Sequence, residues 1–106
     1  MRWTLLLASA AIALAGWSAS ASAETITVTI KGFKFTPAEV TAHVGDTIGW
    51  TNQDPMKHTT TGTNGEWDLP VGSGETVTFT VDKVGTVSYF CRIHPSMKGK
   101  VDVVAN

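Results

Sequence analysis

Three residues with metal-binding chemistry lie close together near the carboxyl end of the chain. Cys91, His94 and Met97 fall within a stretch of seven residues. A thiolate, an imidazole and a thioether are soft or borderline ligands, and together they suit copper better than magnesium or calcium. A second imidazole would complete a His2Cys set with a weak axial methionine, which is the ligand set of blue-copper sites. The spacing therefore predicts a copper site that needs one further histidine.

That histidine must be His43 or His58, because the chain contains 3 histidines and His94 is the third. His43 lies in a segment with alternating apolar residues, so its side chain is expected to face solvent on the opposite side of a strand. His58 follows an irregular stretch and begins a β-prone segment, while Cys91 ends another. Loops and strand ends at one end of a scaffold commonly carry function. We therefore predict His58 as the missing ligand.

Each candidate also has a plainer interpretation when it is considered alone. A single buried cysteine packs as a small apolar residue, and a single methionine fills gaps in a core. His94 alone would be a surface loop residue. Met56, two residues before His58, is a rival axial ligand. We expect Met56 to pack near the site, because Met97 shares its loop with two other candidate ligands.

The first 23 residues have the features of an export signal. Arg2 gives a positive start, residues 5–16 are apolar or small, and Ala-Ser-Ala at 21–23 forms an A-x-A cleavage site. We predict a cleaved signal peptide over residues 1–23, the general secretory route and a periplasmic domain of residues 24–106. An uncleaved anchor is the alternative, since the uncharged segment is nearly long enough to span a bilayer.

Charge and cysteine content narrow the function of the exported domain. Without residues 1–23 the chain keeps all 9 acidic residues and loses one of its 8 basic ones, so it is mildly acidic. No basic run or basic aromatic stripe appears, which argues against nucleic acid as a partner. Cys91 is the only cysteine, and an odd cysteine in an exported protein is a reactive thiol, an intermolecular bridge or a ligand. Coordination by a metal would protect the thiolate.

Short segments with alternating apolar residues run through the exported domain, separated by turn residues. No segment there has a helical period. Such spacing is typical of an all-β domain, and we predict a Greek-key β-sandwich or barrel of seven or eight strands. The predicted strands cover residues 25–30, 39–44, 47–51, 58–63, 75–81, 86–91 and 100–104, with one more short strand possible within 66–74.

The ligand pattern resembles that of the cupredoxins, the small blue copper proteins, and among them most of all the amicyanins. Two residues separate Cys91 from His94, and two separate His94 from Met97, as in the amicyanin loop. Plastocyanins and pseudoazurins have four residues between histidine and methionine. The resemblance extends over nearly all of the exported domain, and its other matching residues are Trp50, Asn52, Met56, His58, Pro95 and Gly99-Lys100-Val101.

The resemblance implies one type 1 copper ion held by His58, Cys91 and His94, with Met97 as the long axial ligand. His94 would be the exposed ligand through which electrons enter and leave. Amicyanins have proline and asparagine on the two sides of the first histidine, where this chain has Lys57 and Thr59. Thr59 would therefore have to connect the two ligand loops through its hydroxyl, and its N–H would donate to the cysteine sulfur.

The function implied is a periplasmic blue copper electron carrier that turns over no substrate and is therefore not an enzyme. Expected partners are redox proteins such as a c-type cytochrome or a periplasmic dehydrogenase or reductase, which would dock transiently near His94 and Pro95. The resemblance and composition together imply a monomer that binds no nucleic acid and, after signal cleavage, no membrane.

Three other functions use some of the same residues. A periplasmic copper-transport protein would have similar ligands, but its surface would be richer in methionine and histidine. A cysteine hydrolase would need an independently placed base and an orienting group, whereas His94 shares a tight loop with Cys91. A structural zinc site usually has more thiolates or hard ligands and no axial thioether.

Overall fold

The computed structural model of the chain describes residues 23–106. The predicted signal peptide, residues 1–23, lies outside this part except for its last residue and stays a prediction. Among residues 23–106, no helix has the length and apolar character that a membrane crossing requires.

The described residues form nine strands in two facing sheets, so the predicted all-β sandwich is confirmed. One sheet has the order β2-β1-β4-β7 and the other has the order β3-β9-β8-β5-β6. The strands are β1 (Thr25–Ile30), β2 (Phe35–Thr36), β3 (Glu39–His43), β4 (Thr47–Asn52), β5 (His58–Gly62), β6 (Asp68–Val71), β7 (Thr76–Thr80), β8 (Gly85–Phe90) and β9 (Lys98–Val104). The ninth strand is β2, whose two residues are too few to show an alternating pattern.

Apolar residues that alternate along the strands meet between the sheets. The β1 and β4 strands run parallel, with Val28 opposite Trp50. The Trp50 ring contacts Trp67 and Tyr89, each at a centroid distance of 5.5 Å. Aromatic pairs of this kind contribute about 0.5–1.5 kcal/mol beyond the area they bury. Gly99 on β9 lies against the Tyr89 ring, where a β-carbon would collide with it.

The β5 strand is buried along its whole length although four of its five residues are polar. Its threonine hydroxyls are satisfied within the protein. Thr60 Oγ1 accepts a hydrogen bond of 3.0 Å from Trp67 Nε1, and the hydroxyls of Thr59 and Thr61 lie 2.9 Å apart. Because buried polar groups are costly only when they lack partners, these bonds allow a polar strand to lie inside the sandwich.

The strand ends divide the loops between two ends of the sandwich. The site end carries the loops of residues 31–34, 53–57, 72–75 and 91–97. The far end carries the loops of residues 44–46, 63–67 and 81–84. His58 begins β5, Cys91 follows β8, and Met97 precedes β9, so the topology brings all of these residues to the site end.

Candidate metal centre

The side chains of His58, Cys91 and His94 converge at the site end. The two Nδ1 atoms of the histidines lie 3.2 Å apart. Cys91 Sγ lies 3.8 Å from the Nδ1 atom of each histidine. His58, the predicted second histidine ligand, is thus brought next to Cys91 although 33 residues separate them along the chain.

The triangle of donor atoms has the size that a metal ion requires. The three donor atoms lie 3.2 to 3.8 Å from one another, a spacing at which one ion could contact all three at usual metal–imidazole and metal–thiolate distances. Two nitrogens and one thiolate in a trigonal arrangement form the equatorial set of blue-copper sites. The residues present therefore fit copper.

The loop of residues 91–97 is closed by two backbone hydrogen bonds. Met97 N–H donates to His94 O at 2.9 Å, and Cys91 N–H donates to Met97 O at 3.1 Å. The side chain of Met97 is buried, with 2% of the residue exposed, whereas Met56 is 40% exposed. Met97 is thus enclosed within the loop that carries Cys91 and His94, whereas Met56 lies at the surface.

Thr59 connects the two segments that carry the ligands. Its N–H donates to Cys91 Sγ at 3.3 Å, and its Oγ1 accepts from the N–H of Arg92 at 2.8 Å. Both contacts expected of Thr59 from the sequence are present. Because Thr59 on β5 contacts both Cys91 and the following residue, Arg92, it fixes the position of the sulfur.

An ion pair extends this connection to the surface. Arg92 Nε donates to Asp68 Oδ1 at 2.7 Å, and Thr61 Oγ1 donates to the same oxygen at 2.9 Å. These hydrogen bonds, with that from Arg92 the strongest, lower the pKa of Asp68. Sequence reasoning missed this pair, because Asp68 begins β6 whereas Arg92 lies in the loop of residues 91–97, 24 residues away along the chain.

Asp54 holds the His58 ring from the other side. His58 Nε2 lies 2.7 Å from Asp54 Oδ2, so the Nε2–H donates to the carboxylate and the lone pair of Nδ1 points to Cys91 and His94. Such a carboxylate partner fixes the tautomer and ring orientation of a metal-binding histidine. Sequence reasoning missed Asp54. The available signal was a carboxylate four residues before the predicted ligand.

The same carboxylate fixes the β1–β2 loop. Gly32 N–H and Phe33 N–H donate to its two oxygens at 2.7 and 3.1 Å. Both residues have positive φ, of 61° and 60°, and successive N–H groups in such a turn form a concave anion site. Burial by itself would raise the pKa of Asp54, but the hydrogen bonds from Phe33, Gly32 and His58 outweigh it and hold the pKa below its usual value.

Most of the chain matches known proteins in sequence and in fold. The sequence profile of the cupredoxin-like domain matches residues 4–103. The chain belongs to the cupredoxin-like family. Amicyanin from Paracoccus versutus is 33% identical over 92 residues, which are 81% of this chain and 70% of that protein.

Two solved structures extend the match to the fold. A reduced amicyanin mutant superposes with a TM-score of 0.67 at 34% identity, covering 76% of this chain and 82% of that one. A purple cupredoxin from Nitrosopumilus maritimus has a TM-score of 0.68 at 24% identity, covering 74% of this chain and 99% of that one. This second similarity supports a shared fold and no more. The resemblance to the amicyanins is confirmed. The cofactor that this family and donor set imply is one copper ion.

Phe33 covers both histidines of this cupredoxin. Its ring lies edge-on to His58 and His94, at centroid distances of 5.4 and 4.9 Å and interplanar angles of 86° and 87°. A bulky residue rarely adopts a φ near 60°, and here the Asp54 carboxylate stabilises that conformation. Sequence reasoning did not find the position of Phe33 over the site.

The two histidines differ in their exposure. His58 is fully buried, whereas His94 is partly exposed, as expected for the ligand at the surface. Three exposed apolar residues belong to the loops at this end: Phe33, whose ring contacts His94, Ile93, which precedes it in the chain, and Met56 in the loop of residues 53–57. His43 lies at the end of β3 with 58% of its side chain exposed, so its predicted orientation towards solvent is confirmed.

Proposed function

We propose that this cupredoxin is a periplasmic carrier of single electrons, with one type 1 copper ion held by His58, Cys91, His94 and Met97. The observation that carries the proposal is the convergence of one thiolate and two Nδ1 atoms in a triangle of metal-binding size. When bound, copper supplies a one-electron Cu(II)/Cu(I) couple.

The protein's own residues hold the ligand geometry. Asp54 orients His58, and the N–H of Thr59 donates to the Cys91 sulfur. A hydrogen bond to a thiolate stabilises negative charge on sulfur and is one of the means by which a cupredoxin sets its reduction potential. Both contacts come from β5 and the loop before it, so one segment of the chain positions the His58 ring and the Cys91 sulfur.

Electrons would pass through His94. It is the more exposed of the two ligand histidines, and its ring contacts the exposed Phe33 at an end of the sandwich whose other exposed apolar residues suit a small, transient interface. A redox protein is the expected partner, docking near His94 and Pro95. The features of residues 1–23 support a periplasmic location.

A copper titration of purified residues 24–106 tests this function. Visible absorption should develop an intense blue thiolate-to-copper band at one copper per chain, and voltammetry should show a reversible one-electron couple. The matched variant Cys91→Ser should lose the band and bind copper more weakly. Binding of Cu(I) alone, without a reversible couple, would instead favour the copper-transport function.

A further inference from the structure

The apolar surface around His94 is surrounded by positive charge. We define the docking face as His94 together with Phe33, Met56, Ile93 and Pro95, the exposed apolar residues of the site-end loops. The loops at the site end and the first residue of β9 carry five basic residues, and all five are exposed: Lys31, Lys34, Lys57, Arg92 and Lys98.

Few negative charges oppose these cations at the site end. Asp54 is buried and bonded to His58, and the Glu75 carboxylate is turned back onto the N–H of Gly72. Asp68 pairs with Arg92, and Glu39, which begins β3 at the same end, pairs with Lys100. Among the described residues, no carboxylate lies within ion-pair distance of the other four cations, Lys31, Lys34, Lys57 and Lys98.

The far end has the opposite charge. Its loops and the adjoining start of β1 carry Glu24, Asp46, Glu66 and Asp82, with Lys83 as their one basic residue in the part that the structure describes. The chain as a whole is slightly acidic, with a formal net charge of −1. The charge of the protein is therefore distributed unevenly: the docking face is positive although the net charge of the molecule is slightly negative.

We infer that the redox partner presents an acidic surface to this docking face. The inference rests on the proposed function, since it names the charge of the partner of the same site. Redox complexes have small and weak interfaces, so their rates depend strongly on electrostatic steering. A positive face focuses negatively charged partners onto His94 and disfavours basic ones.

The net charge and the local charge make opposite predictions, which allows a decisive experiment. The net charge predicts repulsion of an anionic reactant, whereas the docking face predicts attraction. The reduced copper protein is mixed with hexacyanoferrate(III) in a stopped-flow instrument, and the second-order rate constant is measured between 0.01 and 0.2 M ionic strength. The rate constant should fall as salt is added, and it should rise with salt for the cationic oxidant tris(phenanthroline)cobalt(III).

Two variants of equal net charge locate the effect. Lys57→Glu reverses a charge at the docking face, and Lys83→Glu reverses one at the far end. At 0.01 M ionic strength, Lys57→Glu should slow the reaction with hexacyanoferrate(III) about tenfold, whereas Lys83→Glu should change it by less than about twofold. Lys34→Glu provides a second reversal at the face, in a different loop. The blue band and reduction potential of each variant show that the site is intact.

Protein probes extend the test to a macromolecular interface. Electron exchange should be faster at low salt with a soluble, acidic cytochrome b5 domain than with a basic cytochrome c, and Lys57→Glu should remove that preference.

Two kinds of failure can be told apart. If wild type shows no blue band and no reversible couple, the proposed function and this inference both fail. If it cycles normally but Lys57→Glu and Lys83→Glu have equal effects, or if the basic cytochrome reacts faster, only the acidic partner is overturned.

Discussion

Two histidine–aspartate pairs lie at opposite ends of the sandwich, and only one of them belongs to a metal site. At the site end, His58 Nε2 lies 2.7 Å from Asp54 Oδ2, and both side chains are buried. At the far end, His43 Nδ1 lies 3.8 Å from Asp46 Oδ2, and the histidine is mostly exposed. The residue types are the same, but the environments are not.

The two aspartates also have similar backbone partners. Asp54 accepts from the N–H groups of Gly32 and Phe33, and Asp46 accepts from those of Glu24 and His43. Each carboxylate thus fixes a chain segment beside β1. The difference teaches that an aspartate next to a histidine is not itself a sign of function. What distinguishes the metal site is that the second ring nitrogen of the buried His58 faces the Cys91 sulfur and the His94 imidazole.

The largest expected difference between the two pairs is in copper affinity when the histidine of each pair is replaced. His58→Ala should weaken copper binding by more than about 100-fold, because loss of even an outer partner of a ligand commonly costs about 10–100-fold. His43→Ala should leave the affinity and the blue band unchanged. Competition with a chelator of known copper affinity measures both. Equal effects of the two substitutions would mean that the ligand assignment is wrong.

A smaller difference in copper affinity is expected when the aspartate of each pair is replaced. Asp54→Ala removes the acceptor that fixes the His58 ring and should weaken copper binding about 10–100-fold. Asp46→Ala should leave copper affinity within about twofold of wild type, since its partners lie at the far end. Chelator competition gives the affinities, and urea unfolding of the metal-free proteins shows that both variants fold. If Asp46→Ala weakened copper as much as Asp54→Ala, the two carboxylates could not have the separate roles described.

The smallest effect is a pH dependence at the far end. Hydrogen bonds from the N–H groups of Glu24 and His43 hold the pKa of Asp46 below its ordinary value of 3.8. Folding therefore favours the ionised form, whose stabilising contribution is present above the ordinary pKa and is lost as the pH falls through the lower, folded-state value.

Urea unfolding of metal-free wild type and Asp46→Asn measures this contribution. The difference in their free energies of unfolding should be largest near neutral pH and shrink below about pH 4. A difference that stayed constant from neutral to acidic pH would show that hydrogen-bond geometry, and not the charge of Asp46, stabilises this end.

Much of the fold and site follows from local patterns. Period-2 alternation predicts β1, β3, β7 and β9, because each has one face in the core and one in solvent. The same alternation turns His43 outward, which leaves His58 as the ligand candidate. The spacing of Cys91, His94 and Met97 indicates a metal site because the three side chains share one loop.

Other features depend on contacts that no local pattern contains. The β5 strand is polar in sequence but buried, because its hydroxyls are satisfied by Trp67 and by one another. Asp54 and Phe33 belong to the site only because the loop of residues 53–57 meets the β1–β2 loop, 21 residues away along the chain. The left-handed conformation of Phe33 depends on that meeting.

The measurement that tests the central claim most directly is electron paramagnetic resonance of residues 24–106 loaded with Cu(II). A trigonal site of one thiolate and two imidazoles shares the unpaired electron with sulfur, and a narrow copper hyperfine splitting is therefore expected, lost in Cys91→Ser and kept in His43→Ala. The wide splitting of ordinary Cu(II) in the wild-type protein would contradict the account, because it would mean that the copper does not form the trigonal, strongly covalent bond to the Cys91 sulfur that a type 1 site requires.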